Sequence, residues 1–128
     1  MKRCKMNWRL ALIAAGAAGL IFALRAAPGM PESAAREHLN NGALLIDVRT
    51  VEEFQGRHLT NAINIPLAEL KEKLPGQVPD QSQVLLLYCR SGRRSGLAEQ
   101  ELRGMGYTNV FNIGSIDQAR KIVNGTKP

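Results

Sequence analysis

The chain is 128 residues long, 45% apolar and 22% charged, which suits one compact domain plus an appendage and excludes two independent domains of ordinary size. Its net charge of +6 comes from 17 Lys and Arg against 11 Asp and Glu. Residues 1–26 hold five of those cations (Lys2, Arg3, Lys5, Arg9, Arg25) and no acid, so 12 basic groups face 11 acidic ones in the remainder, and the near-neutral domain lacks the basic surface a nucleic-acid binder needs.

Taken in chain order, Met1 to Arg9 is basic and Leu10 to Leu24 is an unbroken run of 15 apolar or small residues. Residues 1–26 are therefore expected to be a signal peptide or an N-terminal membrane anchor, with export to the periplasm in either case. As a helix the run reaches roughly 22 Å, short of a ~30 Å hydrocarbon core, which favours cleavage. Leu24 and Arg25 make a poor peptidase site, which favours retention, and both alternatives stay open. Four basic residues before the run and only Arg25 closely after it place the C-terminal domain outside the cytoplasm in both. Any membrane contact is through residues 10–24 alone.

Pro28, Gly29 and Pro31 mark residues 27–31 as a linker, and the domain is expected over 32–128. Ser33 to Asn41 reads as a short helix with Ala35 and Leu39 inward and Gly42 as its stop. Ala43 to Val48 reads as a strand. A helical turn is predicted over Val51 to Phe54, with Thr50 as N-cap and Glu53 closing a capping box. Ala62 to Ile65 is a second short strand. Leu67, Leu70 and Leu74 stripe a helix that Pro75-Gly76 is expected to end. Val84 to Tyr88 is apolar throughout, the pattern of a central parallel strand buried on both faces. Ala98, Leu102 and Met105 stripe the next helix, Asn109 to Asn112 is a short strand, and Ile116, Ala119 and Val123 stripe the last helix. Strands alternating with helices through short connections predict an α/β fold, a mostly parallel central sheet flanked by helices in three layers.

Two cysteines cannot build a disulfide framework, and Cys4 lies in the N-terminal segment, so Cys89 stands alone in the domain. It directly follows the central strand, and Cys89 to Ser95 (C-R-S-G-R-R-S) leads into a helix, at the carboxyl edge of the sheet where α/β ligand sites form. A helix N-terminus, backbone amides and Arg90, Arg93 and Arg94 all favour the thiolate, making Cys89 a nucleophile at neutral pH. Ser91 and Gly92 let the loop curl so that its amides point inward at an anion. Two histidines and one usable cysteine offer no metal-ligand spacing, and no cofactor is expected.

The segment Leu45 to Pro66 (L-I-D-V-R-T-V-E-E-F-Q-G-R-H-L-T-N-A-I-N-I-P) followed by Tyr88 to Gly96 (Y-C-R-S-G-R-R-S-G) resembles the single-domain rhodaneses, sulfurtransferases, over about residues 32–124; with the export signal it is most similar to the small exported phage-shock type. The resemblance implies that Cys89 accepts a sulfane sulfur from thiosulfate or a similar donor, forms a persulfide, and passes the sulfur to a thiol or cyanide. The loop amides with Arg90, Ser91, Gly92, Arg93, Arg94 and Ser95 would bind the substrate anion, the position matching Arg94 often contacting or bracing the site. Asp47 and Arg49 match the family's Asp-x-Arg and would support the site, Asp47 accepting hydrogen bonds from the catalytic loop and Arg49 pairing with Glu53 or another acid. Arg57-His58-Leu59 departs from the usual Gly-His-Ile, and His58 is expected to be a turn or packing residue. Related phosphatase and arsenate-reductase loops resemble C-x5-R, whereas Arg94 here completes C-x4-R, a shorter cradle that favours sulfur over phosphate. The rival reading is a rhodanese-fold sulfur carrier, redox sensor or binding module that depends on a protein partner.

Overall fold

The computed structural model describes residues 29–126, so the expectations for residues 1–26 lie outside the described residues. Helix α1 (Glu32–Asn40) leads through Gly42, at φ +95°, into strand β1 (Leu44–Asp47). Helix α2 (Val51–Gly56) starts at the anticipated capping box: Thr50 Oγ accepts from the Glu53 amide while the Glu53 carboxylate accepts from the Thr50 amide. Strand β2 (Ile63–Asn64) follows, then a 3₁₀ turn (Leu67–Glu69) running into helix α3 (Leu70–Gln77). Strand β3 (Leu85–Cys89), helix α4 (Arg93–Gly104), strand β4 (Val110–Ser115) and helix α5 (Ile116–Asn124) complete the order.

The four strands form one sheet in the order β2-β1-β3-β4, and every pairing is parallel. All five residues of β3 are buried, as a strand covered on both faces requires. Side-chain alternation divides the core in two. Leu85, Leu87 and Cys89 face α3 and α4 with Leu70, Leu74, Ala98 and Leu102, while Leu86 and Tyr88 face α1 and α5 with Ala35, Ile116, Ala119 and Ile122. The three layers match the expected class.

Three local expectations change. Helix α3 continues through Pro75 to Gln77, because the carbonyl that loses its partner belongs to solvent-exposed Lys71 while Leu70 and Leu74 stay anchored in the core. Strand β4 runs on to Ser115, held by pairing to β3 through Cys89↔Ser115. On α5 the buried stripe is Ile116, Ala119 and Ile122, with Val123 only half-buried.

Candidate active site

Strand β3 ends at Cys89, so its thiol is delivered at the carboxyl edge of the sheet, fully buried, where the chain turns into α4. Gly92 makes the turn possible: it is the N-cap of α4 at φ +91°, and a Cβ there would lie 3.3 Å from Gly114 Cα, so strain and crowding both favour glycine. The curl turns the Gly92 amide back to donate to Cys89 Sγ at 3.0 Å. Ser95, in the first turn of α4 and fully buried, brings its hydroxyl to 3.4 Å from the same sulfur. Burial pushes the Cys89 pKa up, but hydrogen bonds from the Ser95 hydroxyl and from the amides of Ser95, Ser91 and Gly92 outweigh it and hold the thiol below its ordinary value. Cys89 is a free cysteine, and these donors favour its thiolate form.

One member of this network carried no sequence motif. Asn112 of β4 accepts from Ser95 Oγ at 2.7 Å and from the Gly114 amide at 2.9 Å through Oδ1, and donates from Nδ2 to the Gly92 carbonyl at 3.0 Å. A register shift in the β3–β4 pairing aims it there: Leu87 pairs with Asn112 but the next residue, Tyr88, pairs with Gly114, leaving Ile113 extra. The only hint in sequence was Gly114, two residues on, at φ +97°.

The remaining predicted site residues divide by exposure. Arg90, Ser91 and Arg93 are exposed, while Arg94 is half-buried. The Arg94 guanidinium is turned to α2, where Nη1 and Nη2 donate to Glu53 Oε2 and Oε1 at 2.7 and 2.9 Å. That fork holds the Glu53 carboxyl at a pKa of about 2, with the Thr50 amide and hydroxyl assisting. A cleft of about 330 Å³ opens beside Arg90, lined also by Arg49, Glu52, Glu53, Gly56, Arg57 and Ile116.

Asp47 differs from its expected partner, while Arg49 pairs with an acid as expected. The Asp47 carboxylate accepts nothing from the catalytic loop; it takes the Arg49 backbone amide at 2.9 Å and the Arg49 guanidinium at 2.7–3.1 Å. Of the acids open to it Arg49 takes Asp47, and Nη2 also donates to the Arg57 carbonyl. Both residues are buried, so neither charge can find water, and the two-residue spacing at a strand end lets one side chain fold back on the other. The hydrogen bond to Asp47 raises the Arg49 pKa. The guanidinium lies 5.8 Å from the centre of the Tyr88 ring, whose hydroxyl burial pushes to a pKa of about 12 and which accepts from the Leu59 amide at 3.2 Å. The pair ties the end of β1 to the chain after α2. His58 is a packing residue as expected, stacked on Phe54 at 3.9 Å between ring centres with Nδ1 2.8 Å from the Phe54 carbonyl oxygen.

A parallel α/β domain whose central strand ends in a cysteine, at an amide-lined turn into a helix N-terminus, defines the class to which the chain is compared. The chain belongs to the Rhodanese-like domain family, whose profile matches residues 32–120, and it is a sulfurtransferase of the rhodanese type. It is 48% identical over 71 residues to the thiosulfate sulfurtransferase PspE of Escherichia coli, a match covering 56% of this chain and 68% of that protein. Against further curated relatives the match spans about half of their length. Among solved structures it is similar to a rhodanese with anions from E. coli, at TM-score 0.57 and 45% identity over 59% of this chain and 89% of that one. A human single-domain sulfurtransferase matches at TM-score 0.62 and 28% identity over 79% of this chain and 99% of that one.

Proposed function

We propose that Cys89 takes the sulfane sulfur of thiosulfate, or of a donor with the same chemistry, and hands it to a thiol or cyanide. The observation that carries this reading is the buried Cys89 sulfur held by the Gly92 amide and the Ser95 hydroxyl, which together favour an anion on that atom. The thiolate attacks the outer sulfur of thiosulfate; a Cys89–sulfur bond forms, the sulfur–sulfonate bond breaks, and the electron pair leaves with sulfite. The persulfide anion that remains carries the charge the thiolate had, so the same donors that hold the thiolate can hold it. Attack on its outer sulfur by a thiolate or by cyanide then returns Cys89 to the thiolate. Neither step needs a proton shuttle. The thiosulfate sulfurtransferase name of the E. coli relative supports the choice of donor.

The basic segment and apolar run of residues 1–24 support export, with transfer taking place outside the cytoplasm. Cell fractionation of the tagged full-length protein checks this; a purely cytoplasmic pool refutes it.

Intact mass of the full-length protein after incubation with thiosulfate tests the chemistry. A gain of about 32 Da, one sulfur atom, reversed by cyanide and absent from Cys89→Ser, is the expected result. No gain in a folded protein refutes thiosulfate as donor and turns the reading to a carrier loaded by a partner's persulfide.

A further inference from the structure

One of the three loop arginines expected to bind the substrate anion is already occupied. Arg94 presents both terminal nitrogens to Glu53, at 2.7 and 2.9 Å, the fork geometry with which a guanidinium would otherwise grip two oxygens of a sulfonate, sulfate or phosphate. Glu53 cannot easily swing away, because its Oε2 also accepts from the Thr50 amide at 3.0 Å and the Thr50 hydroxyl at 3.2 Å within the capping box of α2. Its carboxyl, held at about pH 2, stays ionised throughout any working range. The other loop cations, Arg90 and Arg93, project into solvent and have no carboxylate partner among the described residues, so they are steering charges screened by water rather than a fixed clamp.

We propose that Glu53 is a specificity-determining residue: by holding the Arg94 fork it keeps the loop from gripping tetrahedral oxyanions, so that sulfur is transferred while the oxyanion half of the substrate is bound loosely and released. This deepens the persulfide reading above and rests on it for the leaving group. For a loop that takes only the terminal sulfur of a dianion, a fixed arginine fork is a liability. It would retain sulfite after the sulfur–sulfur bond has broken, and would admit sulfate and phosphate as competitors. A carboxylate reaching across from α2, 41 residues earlier in the chain, removes that grip and leaves the sulfur to the Gly92 amide and to the Ser95 hydroxyl that it shares with Asn112.

The variant that tests this is Glu53→Gln in the full-length protein. Glutamine keeps the capping box, as Gln118 does beside Ser115 at the start of α5 in this same chain, while it gives up the charge that holds Arg94. The readout is the protection of Cys89 against iodoacetamide by sulfate, phosphate and sulfite, which needs no turnover. Glu53→Gln is expected to bind each oxyanion about tenfold more tightly than the wild type, the scale of one charge-assisted hydrogen bond. Sulfite should become a correspondingly stronger product inhibitor of thiosulfate turnover. Adding Arg94→Lys, which keeps a charge but loses the fork, should abolish the gain. Unchanged oxyanion affinity in a folded Glu53→Gln protein overturns the proposal, as does a gain that survives Arg94→Lys. If no variant gains sulfur from thiosulfate while the oxyanion gain appears and depends on Arg94, the role of Glu53 stands and the thiosulfate reading fails.

Discussion

Replacing Ser95 with alanine should raise the pKa of Cys89 by about one unit. A hydrogen bond to a charged partner contributes about 1.5–3 kcal/mol. The Ser95 hydroxyl has a single proton, however, and three acceptors around it: Cys89 Sγ at 3.4 Å, the Gly92 carbonyl at 3.1 Å and Asn112 Oδ1 at 2.7 Å. The sulfur has to compete for that proton, which puts the effect at the low end, about 1.4 kcal/mol or one pKa unit. The Gly92 amide still donates to the sulfur at 3.0 Å, so the thiolate is weakened and not lost. Folding should be little affected. Asn112 Oδ1 keeps the Gly114 amide and the Gly92 carbonyl keeps Asn112 Nδ2, so the substitution orphans neither group and changes stability by less than about 1 kcal/mol. The assay is the rate of Cys89 alkylation by iodoacetamide as a function of pH. Its midpoint should move up by about one unit, and at pH values below both midpoints the rate should fall about tenfold. A midpoint that stays put or moves down in a folded protein would mean that the hydroxyl donates to Asn112 alone, and the account of the thiolate given above would be wrong.

Other variants probe the scaffold. Asp47→Ala leaves the Arg49 guanidinium buried with the Arg57 carbonyl as its one hydrogen-bond partner among the described residues; a loss of about 3–5 kcal/mol in urea unfolding is expected, and a change below about 1 kcal/mol would refute a bracing role for the pair. Leu87→Ala opens a void in the fully buried centre of β3 and should lower stability by about 2–5 kcal/mol by the same measurement. The lowered carboxyl pKa of Glu53 contributes stability that is present in full above its ordinary value of 4.5, declines below it, and is gone once the pH has passed about 2. With its partial exposure discounted, that contribution is about 1–2 kcal/mol. The stability gap between wild type and Glu53→Gln should therefore be constant near neutrality and close between pH 4.5 and 2; a gap independent of pH in that window would contradict the pairing with Arg94.

Much of this protein is written in short stretches of chain. The capping box of Thr50 and Glu53, the all-apolar run that becomes β3, the stop at Gly42, and a cysteine placed between a strand and a helix are each decided within about six residues, and each is present in the structure. Local dihedral preference and side-chain period suffice for them. The same holds for the parallel α/β class, since strands and helices that alternate through short connections have few other ways to bury their apolar faces.

Partners were decided elsewhere. Asp47 and Arg49 were legible as a motif, but that they would close on each other depends on both being sealed in by Tyr88 and the chain around Arg57. Asn112 enters the site only because β4 lies beside β3 and carries an extra residue at Ile113; no periodicity announces a bulge. Pro75 reads locally as a stop, and tertiary anchoring of Leu70 and Leu74 overrides it. The pairing of Arg94 with Glu53 joins residues 41 apart, which the fold brings together when α2 and the start of α4 meet. Sequence determined that a lone cysteine would stand between the central strand and a helix, in a loop rich in arginine. Only the tertiary structure decided which donors the sulfur would have and which arginine would be taken, because those are long-range pairings whose energies exist only once the strands are in order.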